Sequence, residues 1–119
     1  MLGVCVRREA TAQAERVLAR TRATVELAGL STSITEDDVV VTDAYFGAGY
    51  GQLSPEAREA LTLAAECEGL LLDPVYTAKS LAGMIGAVRD GDIKSDETAV
   101  FLHTGGTPAL FAYDEFLKG

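Results

Sequence analysis

Hydrophobic and polar positions change period several times along the chain. Leu2 to Val6 is a continuous apolar run that ends at Arg7 and Arg8, the pattern of a strand covered on both faces in a parallel sheet. From Glu9 to Ala28, residues Ala10, Ala14, Val17, Leu18 and Val25 recur at helical spacing and Gly29 supplies the stop, which predicts a long amphipathic helix. Asp38 to Thr42 contains the β-branched run Val39-Val40-Val41, bounded by acidic Glu36-Asp37-Asp38 and by Asp43, which predicts a second strand. Residues 43 to 53, DAYFGAGYGQL, break every period and read as a loop rich in glycine and aromatics. Ser54, Pro55 and Glu56 form a helix start, with a hydroxyl cap, proline at the first helical position and a carboxylate in the first turn. Ala57, Leu61, Ala64 and Ala65 give that helix its buried stripe, and Gly69 ends it.

Leu70 to Leu72 is a short apolar segment cut off at Asp73-Pro74, because a residue before proline is pushed out of helical geometry. The helix that follows places Leu81, Met84, Ile85 and Val88 on one face and stops at Asp90-Gly91. After a polar connection, Ala99 to Leu102 predicts a third strand. HTGGTP then turns into a final helix from Pro108 to about Phe116. Strands alternating with helices in this way predict an α/β fold with a mostly parallel sheet. In such folds ligands sit outside the carboxyl ends of the strands. Three segments are selected by that rule: the loop carrying Tyr45, Phe46 and Tyr50, the stretch DPVYT, and the turn HTGGT.

Length and charge narrow the picture. A chain of 119 residues, 48% hydrophobic and 24% charged, reads as one soluble globular domain. The net charge of -8, with lysine only at Lys79, Lys94 and Lys118, leaves no basic stripe to follow a phosphate backbone and argues against nucleic acid. No apolar run approaches the roughly 20 residues needed to span a bilayer. The start MLGVCVRRE carries its charges after its apolar stretch, the reverse of a signal peptide, so a cytoplasmic location is expected. Cys5 and Cys67 read as reduced thiols, and no metal site is expected.

Each candidate chemical feature has a bland reading beside it. HTGGTP reads as an anion cradle, or as a simple turn with Thr107 as cap and Pro108 at the first helical position. His103 is a base or, more simply, a hydrogen-bonded structural residue; Cys5, taken as lying early in the first strand, stands opposite and builds no triad with it. Tyr50 and Tyr76 are either site residues or half-buried aromatics with satisfied hydroxyls. Lys79, one turn after Tyr76, is a Schiff-base candidate or a lysine on an exposed helical turn.

The wording of these loops adds a further argument. EGLLLDPVYTAKSLAGMI followed by VFLHTGGTPALFAY resembles the C-terminal part of the D-cysteine desulfhydrase and 1-aminocyclopropane-1-carboxylate deaminase family, pyridoxal-phosphate enzymes with a tryptophan synthase β-like fold. The resemblance runs from residue 1 to about residue 116, dense between Glu68 and Tyr113 and loose before Tyr45. It implies part of a three-layer α/β sandwich. It also implies roles: Tyr76 close to the cofactor ring as nucleophile or acid/base group, and Tyr50 binding and orienting substrate. Thr104 matches the group that hydrogen-bonds the pyridine nitrogen in the desulfhydrase branch, and Gly105 lies beside it in the cofactor-binding turn. Thr77, which the resemblance also places among the cofactor-binding residues, stands where deaminases carry glutamate, so the resemblance sides with desulfhydrases.

The chemistry fits these residue types. A neutral hydroxyl such as Thr104 holds a ring nitrogen protonated less well than a carboxylate, giving a moderate electron sink suited to β-elimination of a thiol. A phenol ionises near pH 10, so Tyr76 is expected to donate a hydrogen bond or offer a stacking face. By the same resemblance the Schiff-base lysine, its companion asparagine and the glycine-rich phosphate loop lie upstream of Met1. Residues 1–119 are therefore expected to be the C-terminal part of a catalytic domain, inactive alone, with a small amino acid as substrate. Sheet edges left without neighbours favour self-association, as a homodimer or through apolar surface. The alternatives are the deaminase branch and a non-catalytic α/β remnant acting as an interaction module.

Overall fold

The first and second strands pair with each other, and everything else is arranged around that pair. The structure is a computed structural model that describes residues 1–113. Strand β1 (Leu2–Val4) lies parallel to β2 (Val40–Thr42) in the register Leu2 to Val40, Gly3 to Val41 and Val4 to Thr42. The Cys5 amide adds a last rung by donating to the Thr42 carbonyl at 2.8 Å. Parallel strands need a long crossover, and helix α1 (Ala10–Leu27) supplies it. Asp43, just past β2, accepts from the Ala10 amide at 2.8 Å, so the end of one strand caps the helix that follows the other.

Helices α2 (Pro55–Glu68) and α3 (Thr77–Arg89) form the packed half of the molecule. The expected ends of α2 are present: Ser54 Oγ accepts from the Ala57 amide at 3.2 Å, and Gly69 closes the helix at φ 66°. Small side chains let the two helices approach closely. Ala57, Ala64, Leu72 and Ala78 form the core, with Leu53, Leu61, Leu81 and Phe101 packed around it. A bidentate pair from Arg89 to Glu59, at 2.9 and 2.7 Å, joins the helices at the surface. Such exposed pairs contribute only about 0.2–1 kcal/mol.

Several expectations are corrected. The buried face of α3 is not Leu81, Met84, Ile85 and Val88 but Thr77, Ala78, Lys79, Ala82, Gly83 and Ala87, and Val88 is exposed. The reason is a close approach: a Cβ on Gly83 would stand 2.5 Å from a methyl of Val4, and one on Gly86 would overlap the Tyr45 ring. The run Ala99 to Leu102 forms no strand, since a strand exists only with a ladder partner and none is present among the described residues. Its side chains still alternate, Phe101 against the core and Val100 and Leu102 outward. Thr107 does not cap the last element; a 3₁₀ turn spans Thr107–Ala112, and the expected continuation to residue 116 lies outside the described residues.

The fold is α/β with a small parallel sheet, and it is only part of a domain. No residue of α1 is buried. Leu2, Val40, Leu70, Leu71, Val100 and Leu102 are exposed. The radius of gyration is 15.7 Å, against about 13.5 Å for a compact domain of this length. No helix among the described residues is long and apolar enough to cross a membrane.

The Gly86 contact yields a test. Gly86→Ala is expected to lower stability by about 1–3 kcal/mol in chemical denaturation, because the Tyr45 ring must be displaced. In a Tyr45→Ala background the same change should instead stabilise, by up to about 1 kcal/mol, as alanine is the better helix former.

Candidate active site

Two of the three selected segments meet through a pair of phenols. The turn DPVYT is built on Asp73, whose side chain is fully buried. Its carboxylate accepts from the amides of Val75 at 2.9 Å, Tyr76 at 2.8 Å and Thr77 at 2.8 Å, and from the Thr77 hydroxyl at 2.7 Å. Thr77 Oγ1 in turn accepts from the Asp73 amide at 2.8 Å. The carboxylate thus satisfies the first amides of α3, the place where negative charge is most favourable. Buried Pro74 and Val75 complete the turn, and Tyr76 is left half-exposed at the head of the helix.

The loop of residues 43 to 53 brings Tyr50 to the same place. The Tyr50 and Tyr76 hydroxyls are hydrogen-bonded to each other, and their rings meet edge to face with centroids 6.0 Å apart. They open on a cavity of about 260 Å³, lined also by Cys5, Arg7, Arg8 and Gln13. The Arg7 guanidinium carbon lies 5.5 Å from the Tyr50 ring centroid, a cation–π distance. The hydrogen bond from Tyr50, followed by burial and nearby negative charge, pushes the Tyr76 phenol above its usual range, while Arg7 pulls the other way. The Tyr76 phenol thus keeps its proton to a higher pH than an ordinary phenol. A larger groove of about 480 Å³ runs along α1 beside Val17, Val25 and Leu30, but it contains neither tyrosine.

The third segment, HTGGT, docks on the DPVYT turn and the residue Leu71 before it. His103 Nε2 donates to the Leu71 carbonyl at 3.3 Å while Nδ1 accepts from the Gly105 amide at 3.1 Å, so the tautomer with its proton on Nε2 satisfies both. The Thr107 hydroxyl donates to the same Leu71 carbonyl at 3.2 Å. Gly106, at φ 92°, lies over Asp73 so closely that a Cβ there would stand 2.7 Å from its carboxylate. The Gly105 amide is thus used within the turn and the Thr107 hydroxyl is used on Leu71, which leaves neither of these two groups for an anion. Thr104 is exposed, and a Cβ on Gly105 would meet nothing within 4 Å. The arrangement therefore offers a free hydroxyl beside open space.

Three residues differ from expectation. Lys79 is not on an exposed turn: it is fully buried, and its ammonium donates to the carbonyls of Phe46 at 2.7 Å and Gly49 at 2.8 Å. Cys5 lies after the last residue of β1 and lines the tyrosine cavity; burial, then the Asp43 charge, raises its thiol above the usual range. Thr77, expected to touch cofactor, has its hydroxyl engaged with Asp73 and is absent from the cavity lining. Arg7 and Arg8 were missed as site residues, although they stand at the carboxyl end of the first strand, where the crevice rule applies as well as it does to the second.

The donor set fits pyridoxal phosphate in part. Two phenols facing a cavity suit a planar polar ring, whereas Thr104 and Gly105 are not among the residues that line it. No lysine amine reaches the tyrosine cavity among the described residues, since Lys79 is spent inside the 43–53 loop.

The Tyr50–Tyr76 contact has a measurable signature. Because the Tyr76 phenol is raised, the native state keeps a proton that the unfolded chain releases above about pH 10. That contribution to stability is complete below pH 10 and is lost as the pH rises through the folded value. A ¹³C tyrosine NMR titration should show Tyr76 ionising above the ordinary phenol range, and Tyr50→Phe should bring it down.

Comparison with known proteins bears on the family of the chain. Residues 3–105 match the family described as "Pyridoxal-phosphate dependent enzyme". The chain is 41% identical over 113 residues to a D-cysteine desulfhydrase of Salmonella paratyphi B, covering 95% of this chain and 34% of the relative. It is 39% identical over 117 residues to a D-cysteine desulfhydrase of Klebsiella pneumoniae, covering 98% of this chain and 35% of that protein. A solved structure described as an ACC deaminase homologue superposes with a TM-score of 0.82 at 28% identity, over 98% of this chain and 34% of that one. The chain thus spans about a third of the length of the curated relatives it matches. With a family match over most of its length and a fold shared with a solved relative, the chain belongs to the pyridoxal-phosphate dependent enzymes.

Proposed function

We propose that this chain supplies the tyrosine-bearing wall of a lyase active site that converts D-cysteine to pyruvate, sulfide and ammonia by α,β-elimination. The observation that carries the reading is the hydrogen-bonded Tyr50–Tyr76 pair on a cavity that also holds Arg7 and Arg8. Relatives about 40% identical carry the desulfhydrase name, and Thr77 stands where the resemblance gives deaminases glutamate. Pyridoxal phosphate, when bound, supplies the electron sink for loss of the α-proton.

In this reading Tyr76 presents its phenol at the cofactor face and holds a proton at its hydroxyl oxygen. Tyr50 keeps that hydroxyl aimed and contacts substrate. Thr104 offers a neutral hydroxyl to the ring nitrogen, and open Gly105 leaves room for the ring. Arg7 and Arg8 give the cavity a positive side that suits the carboxylate of a small amino acid. The lysine and phosphate loop come from outside these residues, so the chain by itself does not turn over. We also infer self-association through the exposed apolar residues around Val100 and Leu102, and a cytoplasmic setting in which Cys5 and Cys67 stay free thiols.

A chimaera tests the proposal. Residues 1–119 joined behind the part of the Salmonella relative that they do not match should release pyruvate from D-cysteine. Tyr76→Phe in that chimaera should cut turnover about 10²-fold or more. Release of 2-oxobutanoate from 1-aminocyclopropane-1-carboxylate, without pyruvate from D-cysteine, would assign the deaminase branch instead. Pyruvate formation by residues 1–119 alone would overturn the partial-site reading.

A further inference from the structure

We propose that Lys79 is a positioning residue: its buried ammonium ties the 43–53 loop to helix α3 and thereby sets the contact between the Tyr50 and Tyr76 hydroxyls. The geometry is direct. Tyr76 heads α3 and Lys79 lies one turn further along the same helix. Its Nζ donates to the carbonyls of Phe46 and Gly49, and Gly49 is the residue immediately before Tyr50. Both tyrosines are therefore referenced to one rigid element, one by covalent attachment and the other through two charge-assisted hydrogen bonds.

The loop needs such a tie. Between residues 43 and 53 its own backbone bonds are Phe46 N to Asp43 O at 2.9 Å and Gln52 N to Gly49 O at 3.4 Å. It also contains Gly47, Gly49 and Gly51, all at positive φ. Glycine backbones lose the most freedom on ordering, so an unanchored loop of this composition would not hold a phenol in one place.

The burial of Lys79 is otherwise hard to account for. Its side chain is fully enclosed, and among the described residues its ammonium meets two carbonyls and the Phe46 ring, whose centroid lies 5.5 Å from Nζ. No carboxylate pairs with it there. Burying an ammonium is costly even after relaxation, and here burial pushes the amine below its ordinary range. An apolar side chain at this point of α3 would avoid that cost but leave the two loop carbonyls without their donor. The lysine is thus retained by what it holds.

The proposal concerns the same tyrosines as the functional reading, but its test reads their geometry rather than turnover, so the two stand or fall separately. In residues 1–119 at pH 7, where the Lys79 ammonium is charged, Lys79→Met should abolish the NOEs between the Tyr50 and Tyr76 rings, as expected for loss of the loop tie. Leu61→Ala, which weakens the core on α2, should lower the unfolding midpoint and leave those NOEs as in the parent chain. A folded Lys79→Met protein in which the Tyr50–Tyr76 NOEs are unchanged overturns the proposal. So does an equal loss of those NOEs in Leu61→Ala, which would mark a general loosening. If Lys79→Met does not fold, the unsubstituted chain decides: in ¹⁵N NMR of the lysine ammonium groups, Lys79 should exchange with water more slowly than exposed Lys94, and equal exchange overturns the anchor.

Discussion

The Asp73 carboxylate is the group on which the site depends. It accepts four hydrogen bonds within the turn and is sealed from water. Through them it starts α3, fixes the departure of Tyr76 from the backbone and provides the floor on which Gly106 rests. Capping interactions of this type each contribute roughly 0.5–2 kcal/mol. Their larger effect here is geometric, because the loop at 43–53 and the turn at 103–107 both dock on elements that this turn orients. A buried carboxylate with all its acceptors used is also inert, which leaves the phenols and arginines as the groups able to meet a ligand.

Around that turn the chain divides into a well-packed part and an open part. Between α2 and α3, alanines permit close contact, while Gly83 and Gly86 let α3 approach Val4 and Tyr45. Along β1, β2 and α1 the apolar residues are half-exposed, and the run at 99–102 has side-chain alternation but no strand beside it. A two-stranded sheet leaves both outer edges free. The same residues that make this part of the chain apolar are those that a longer parallel sheet, as in proteins three times its length, would cover.

The legibility of the sequence followed the range of the interactions. Helix α2 was readable to the residue because Ser54, Pro55 and Gly69 act within a few positions of themselves. The strand pair and the long crossover helix were readable from their periods. The third strand was not, since its pattern is correct but its partner is not among these residues. Tyr50 and Tyr76 were singled out because their segments follow apolar runs, and the fold brings their hydroxyls together across 26 residues. Lys79 was misplaced because its burial comes from a loop 30 to 33 positions earlier, and a lysine in a helix carries no sign of it. Asp43 was read as a strand boundary when it also caps α1 across 33 residues. Cys5 was placed at the wrong end of the first strand, which stops at Val4, two residues sooner than its apolar run.

The Asp73 turn has one more consequence, for the order in which the site assembles. All of its hydrogen bonds join residues no more than four apart, so closing it requires almost no loop entropy. The contacts that bring in Tyr50 span 26 to 33 residues and must wait for distant chain to arrive. Helix α3 and Tyr76 can therefore form as a local template, and the second phenol is recruited to a partner already in place.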